Sequence, residues 1–158
     1  MSGSRLFREQ IDIGNLVCFE ARVGETCMFI AADRDLGGAA YSAIHRIRSL
    51  LDRFCQSHPC FATTFDPYME LDREWPKEIQ QMIRASRAAS IGPMAGAAGC
   101  LAEYVAKALL PDTREVIIDH DGVYYFAVEN ARTLSLPWSP PDGKRIGLQI
   151  LAETTPLS

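Results

Sequence analysis

The stretch from Ser90 to Leu110 constrains the fold more than any other part of the chain. It reads Ser-Ile-Gly-Pro-Met-Ala-Gly-Ala-Ala-Gly-Cys-Leu-Ala-Glu-Tyr-Val-Ala-Lys-Ala-Leu-Leu, and its first charge is Glu103. Pro93 suits the first turn of a helix, where the missing N–H would have had no partner anyway. Met94, Ala98, Leu101, Val105 and Leu109 follow at three- and four-residue steps on one broad apolar face, and Pro111-Asp112 forms the exit. The spacing predicts a helix that begins at Ile91-Gly92-Pro93 and has an almost bare first half. Gly96 and Gly99 each cost a helix interior about 1 kcal/mol relative to alanine. Something must come close to them, either neighbouring backbone or a ligand.

The rest of the chain reads as hairpins and helices in alternation. Leu16–Val23 and Thr26–Ala32 are β-prone runs around Gly24-Glu25, a two-residue connection typical of a tight antiparallel hairpin. Glu115–Asp119 and Val123–Val128 repeat the pattern around His120-Asp121-Gly122. A third pair, Leu134–Trp138 and Arg145–Leu151, is joined through residues 139–143. Between the first two hairpins, Ala40, Ile44, Ile47, Leu51 and Phe54 trace an amphipathic helix that stops near Ser57-His58-Pro59. Trp75-Pro76 opens another, carrying Ile79, Met82 and Ile83 on one face, and Phe61-Ala62-Thr63-Thr64-Phe65 reads as a short strand. The expected class is α+β, an antiparallel sheet of hairpins with about three helices on one side.

A chain of 158 residues fits one domain, and 47% hydrophobic with 23% charged residues is an ordinary globular balance. The net charge of −4 and the scattered basic residues point away from nucleic acid. No apolar stretch approaches the ~18 residues a membrane span needs, and Met1–Gln10 lacks a secretory apolar core. The five cysteines show no CxxC pair, so reduced thiols in the cytoplasm are expected, with no metal site. Cys55 and Cys60 flank His58, but their spacing matches no structural zinc pattern.

Three segments are candidates for a site. The helix start Gly92, Pro93, Met94, Ala95 and Gly96 offers free N–H groups and a positive dipole end to an anion, although close helix packing explains the same glycines. No G-x-G-x-x-G or Walker motif occurs. Thr63 and Thr64 offer hydroxyls, and are equally ordinary strand residues. His120, Asp121 and Gly122, with Asp119 adjacent, place an imidazole and two carboxylates within a few residues at a turn, where acid–base or metal work is chemically possible and a plain polar turn is the simpler reading. Trp75 and Trp138 are expected to pack rather than stack on a ligand.

Taken together, His58-Pro59-Cys60-Phe61-Ala62-Thr63-Thr64, the helix Ile79–Ala89, Ile91-Gly92-Pro93-Met94-Ala95-Gly96 running on to Ala102-Glu103, and Glu115-Val116-Ile117-Ile118 resemble an uncharacterised family of ApbE-like proteins. The resemblance implies a T-fold kind of α+β architecture and a distant relationship to enzymes that bind FAD and transfer FMN onto proteins. It implies a flavin, a nucleotide or another anionic small molecule in a pocket formed by the Gly92 helix start, Thr63-Thr64 and the His120-Asp121 turn, and implies no reaction. Where such relatives carry Asn-Gly-Gly-Asp, this chain has His120-Asp121-Gly122-Val123 and keeps the second glycine. The relatives also continue into a Cys-Thr-Ser-Ser-Gly-Thr segment near the position of Ser158, so residues 1–158 are read as one ApbE-like domain, a short form or the first part of a longer unit. The competing expectation is a structural domain that self-associates as a homo-oligomer.

Overall fold

The computed structural model describes residues 10–135 and 146–157. Strand β1 (Val17–Val23) and β2 (Thr26–Ala32) form the first hairpin. Then come helices α1 (Gly37–Ser57), α2 (Pro59–Thr63) and α3 (Lys77–Ala89), a 3₁₀ turn (Pro93–Gly96) and α4 (Ala97–Leu109). β3 (Val116–His120) and β4 (Val123–Ala127) form the second hairpin, and β5 (Arg132–Ser135) pairs with β6 (Gly147–Ile150) in a separate sheet. The main sheet is antiparallel in the order β1-β2-β3-β4. Helices α1 to α4 therefore lie in the single connection between β2 and β3.

Turn chemistry sets both hairpin registers. Gly24 at φ +58° supplies the left-handed residue that a two-residue β1–β2 connection requires, and Val23 faces Thr26. Asp121 and Gly122 both have positive φ, +53° and +81°, as a type I′ turn demands, so His120 pairs with Val123. With register fixed, alternation sorts the side chains onto two faces. Ala21, Met28, Ile30, Val116, Ile118 and Tyr125 meet Ala40, Ile44 and Ile47 of α1 and Leu101, Val105 and Leu109 of α4. Each large aliphatic side chain buried there stabilises the fold by about 1.5–3 kcal/mol. On the reverse face, Ala31, Ile117, Phe126 and Val128 lie under a second layer built from Ile11, Leu16, Leu134 and Ile150. Glu115 and Arg132 tie the two layers through a buried ion pair at 2.5 Å. No helix among the described residues is long and apolar enough to cross a membrane.

The class is α+β, and four local readings change. Phe61–Phe65 is not a strand. Pro59 starts α2, and Phe61 drives fully into the core against Phe54 and Tyr68, with ring centroids 5.0 and 5.4 Å away. That makes four helices between β2 and β3 among the described residues. The helix placed at Gly92 begins as a 3₁₀ turn, and α-helical geometry starts only at Ala97. Gly96 is thus the residue that precedes the helix, and only Gly99 bears the interior cost. The third hairpin starts earlier, at Arg132, and does not join the main sheet. Its connecting segment and Trp138 lie outside the described residues.

Candidate functional site: the start of α4

The entry to α4 is fixed at both ends by backbone contacts. At one end, a Cβ on Gly92 would stand 2.1 Å from the Thr64 carbonyl oxygen and 3.1 Å from the Phe65 Cα. Only glycine lets the chain leaving α3 pass this close to the chain leaving α2. Ser90, in the left-handed conformation with its N–H on the Arg87 carbonyl, ends α3 and turns the chain into this contact. At the other end, the β3–β4 turn leans on the first turn of α4. His120 Nδ1 lies 3.0 Å from the Ala98 carbonyl oxygen, and a Cβ on Gly99 would sit 3.7 Å from Val123.

Between these anchors the surface opens. A Cβ on Gly96 would meet nothing within 4 Å, and Ala95 and Gly96 are exposed. No side chain caps α4 and no acid lies in its first turn. The positive end of the helix dipole, worth roughly half an elementary charge, is left to whatever approaches from solvent. His120 is itself buried, and because its Nδ1 partner is a carbonyl, that nitrogen carries the proton. Its Nε2 then faces Asp121 at 3.6 Å, with the carboxylate largely exposed.

The ten candidate residues fall into two groups. Gly92 and Thr64 meet in backbone contact, and the threonine hydroxyls are used locally: Thr63 Oγ1 donates to the Pro59 carbonyl, and Thr64 Oγ1 accepts from the Asp66 N–H. Pro93 is buried beside them. Met94, Ala95 and Gly96 lead into α4, whose first turn meets His120 and Val123, while Asp121 and Gly122 are exposed at the turn beyond. His120 lies at the end of β3 rather than in the turn, so it points inward to the helix while Asp121 points out.

Other polar pairings go beyond the sequence reading, which has Asp119 only as a neighbour of His120. Asp119, beside His120 but on the opposite face, accepts the Gly122 N–H at 3.0 Å, and burial pushes its carboxyl above the usual carboxylate range. Its cross-strand neighbour Tyr124 donates to Gln10 at 2.9 Å, and burial with the nearby Asp119 charge pushes the phenol up to about 12. The Asp-Gly turn signal, carried through to register, was enough to place Asp119 and Tyr124 side by side. The Glu115–Arg132 pair, also bonded through Asn130, had no such signal. His58 stacks on Phe54 with centroids 4.1 Å apart. No group of three His, Cys, Asp or Glu side chains converges as a metal site among the described residues.

A family model described as AbpE bacteria matches residues 8–158. The chain belongs to this family. It is also similar to UPF0280 proteins of archaea. The match is 33% identical to one from Methanopyrus kandleri over 81% of this chain and 53% of that protein. It is 28% identical to one from Methanocella arvoryzae over 64% of this chain and 41% of that protein. A third, from Methanosarcina acetivorans, is 31% identical over 62% of this chain and 39% of its own length. The chain spans about half the length of the curated relatives it matches.

Proposed function

We propose that this AbpE-family domain binds an anionic small molecule of the flavin or nucleotide class at the start of α4, with no reaction assigned to it. The observation that carries the reading is the uncapped, acid-free first turn of α4 behind a clear Gly96. A phosphate or similar oxyanion fits such a helix end because the dipole favours negative charge there, with the Ala97 N–H already held by the Met94 carbonyl. His120 holds the β3–β4 turn against this helix end, its ring oriented by the Ala98 carbonyl. The choice of flavins follows what the sequence resemblance to ApbE-like proteins implies.

The test is absorbance and mass spectrometry of the purified protein, followed by calorimetric titration with FAD, FMN and ATP. Binding is expected for at least one, and Gly96→Asp, which sets a carboxylate on the helix end, is expected to weaken it about tenfold or more. Absence of a bound species and of heat with all three would sink the reading.

A second reading is self-association, favoured by one end of the molecule where Phe65 is 94% exposed and Met69 78%, with the partly exposed Ile91 nearby. Large apolar side chains gathered in this way mark contact surfaces. Sedimentation at several concentrations decides it. An oligomer that Phe65→Ser dissociates supports this reading, and a monomer throughout removes it.

A further inference from the structure

We propose that the hollow between α1 and α4 is a separate binding site for the phosphate group of a small molecule. The hollow measures about 430 Å³ and is lined by His45, Arg46, Ser49, Leu50 and Arg53 of α1 and by Tyr104 of α4. That is within the size range of small-molecule sites. Arg46 and Arg53 are seven residues apart, so two helical turns bring their side chains onto the same flank of α1. No lining residue is acidic. Asp52, the one acid on α1, lies outside the hollow.

The decisive feature is that five donor-bearing side chains around one hollow are unspent, whereas several of their counterparts elsewhere are used. Among the described residues, the side chains of His45, Arg46, Ser49, Arg53 and Tyr104 make no hydrogen bond or ion pair. On the same helix, Ser42 and Ser57 return their hydroxyls to the Gly38 and Arg53 carbonyls, and Arg48 donates to Thr26. Tyr68 and Tyr124 likewise donate to Glu70 and Gln10. On the far side of Tyr104 lies a smaller hollow of about 200 Å³ in which charge is already balanced, because Glu103 accepts from both Gln81 and Lys107 at 2.6 Å.

Two guanidinium forks with two hydroxyls suit the planar, multivalent acceptor set of a phosphate. A chain of net charge −4 with one short basic flank offers too few contacts for a polynucleotide backbone. The hollow lies about 12 Å along α4 from Gly96, so it is independent of the reading given for the helix start.

The experiment is amide NMR of the full chain titrated with inorganic pyrophosphate at low salt. Saturable shifts at Ser49, Arg53 and Tyr104 are expected. Calorimetry should show at least about tenfold weaker binding in the Arg46→Gln/Arg53→Gln double variant. Both arginines are exposed, so an unchanged circular dichroism spectrum is expected alongside. Tyr104→Phe, which keeps the ring, should weaken binding by a few-fold. Absence of saturable shifts, shifts confined to Gly96 and His120, or unaltered affinity in the double variant would each overturn the proposal. So would saturation of the hollow by a glutamate-rich peptide when pyrophosphate does not bind.

Discussion

The Thr64 carbonyl oxygen lies 2.1 Å from where a Cβ on Gly92 would stand. The obstacle is backbone on both sides, so neither partner can rotate away. Gly92→Ala is expected to cost about 1–3 kcal/mol, the range for overpacking a tight contact. Gly96→Ala, with nothing within 4 Å of the new methyl, should change stability by less than about 0.5 kcal/mol. Urea unfolding of the two variants side by side checks the contrast, and equal effects would contradict it.

Glu115 and Arg132 are buried on opposite sides of the junction between the two sheets. Removing one partner leaves a charge in a poorly solvated place, so Glu115→Gln and Arg132→Met should each cost about 3–5 kcal/mol. The double variant should cost less than the two losses added together. A double-mutant cycle by chemical denaturation measures the difference.

Asp119 and Asp33 should give pH dependences of opposite sign. Burial raises the Asp119 pKa in the fold, so the folded state holds that proton more tightly than the unfolded state does. Stability from this group is present below the unfolded value of about 3.8 and is lost as pH rises through the higher folded value. For Asp33, the hydrogen bond from the Arg114 N–H lowers the folded pKa. Its contribution is present above about 3.8 and is lost as pH falls through the depressed value. Asp119→Asn should therefore make stability less dependent on pH just above 3.8, and Asp33→Asn just below it. Thermal melts across this range in both variants provide the check.

Cys100 is expected to resist alkylation. Burial pushes its thiol up to about 11, leaving almost no thiolate at neutral pH. Cys60 is exposed. Peptide mapping after brief iodoacetamide treatment should find Cys60 modified well before Cys100, and the reverse order would contradict the burial argument.

Much of the architecture was legible because hairpins and amphipathic helices are local codes. Gly24 and Asp121-Gly122 announce their turns, and the Ala40-to-Phe54 spacing announces its helix. Phe61–Phe65 misled because five apolar and β-branched residues fit a strand or a helical turn equally well. The burial of Phe61 against Phe54 decided between them, and that is a tertiary fact. The small-residue segment was read as one helix because composition does not distinguish a 3₁₀ turn from an α-turn. Its glycines divide by contact: Gly92 for backbone, Gly99 for Val123, and Gly96 for open space. The hollow beside Tyr104 joins α1 to α4 across about a third of the chain, so no spacing in the sequence pointed to it.

The second layer draws Ile11 and Leu16 together with Leu134 and Ile150, and Leu157 bridges to Phe126 in the same region. Its contacts close the longest loops in the molecule, whereas α1, α4 and the two tight hairpins assemble from shorter separations. Loop closure is an entropic cost that must be met before distant contacts repay it. Folding should thus proceed in order, the helical face consolidating first and the reverse face sealing last. Refolding followed by pulsed hydrogen exchange should protect the Ile118 amide before that of Asp12, whose N–H donates to the Thr133 carbonyl.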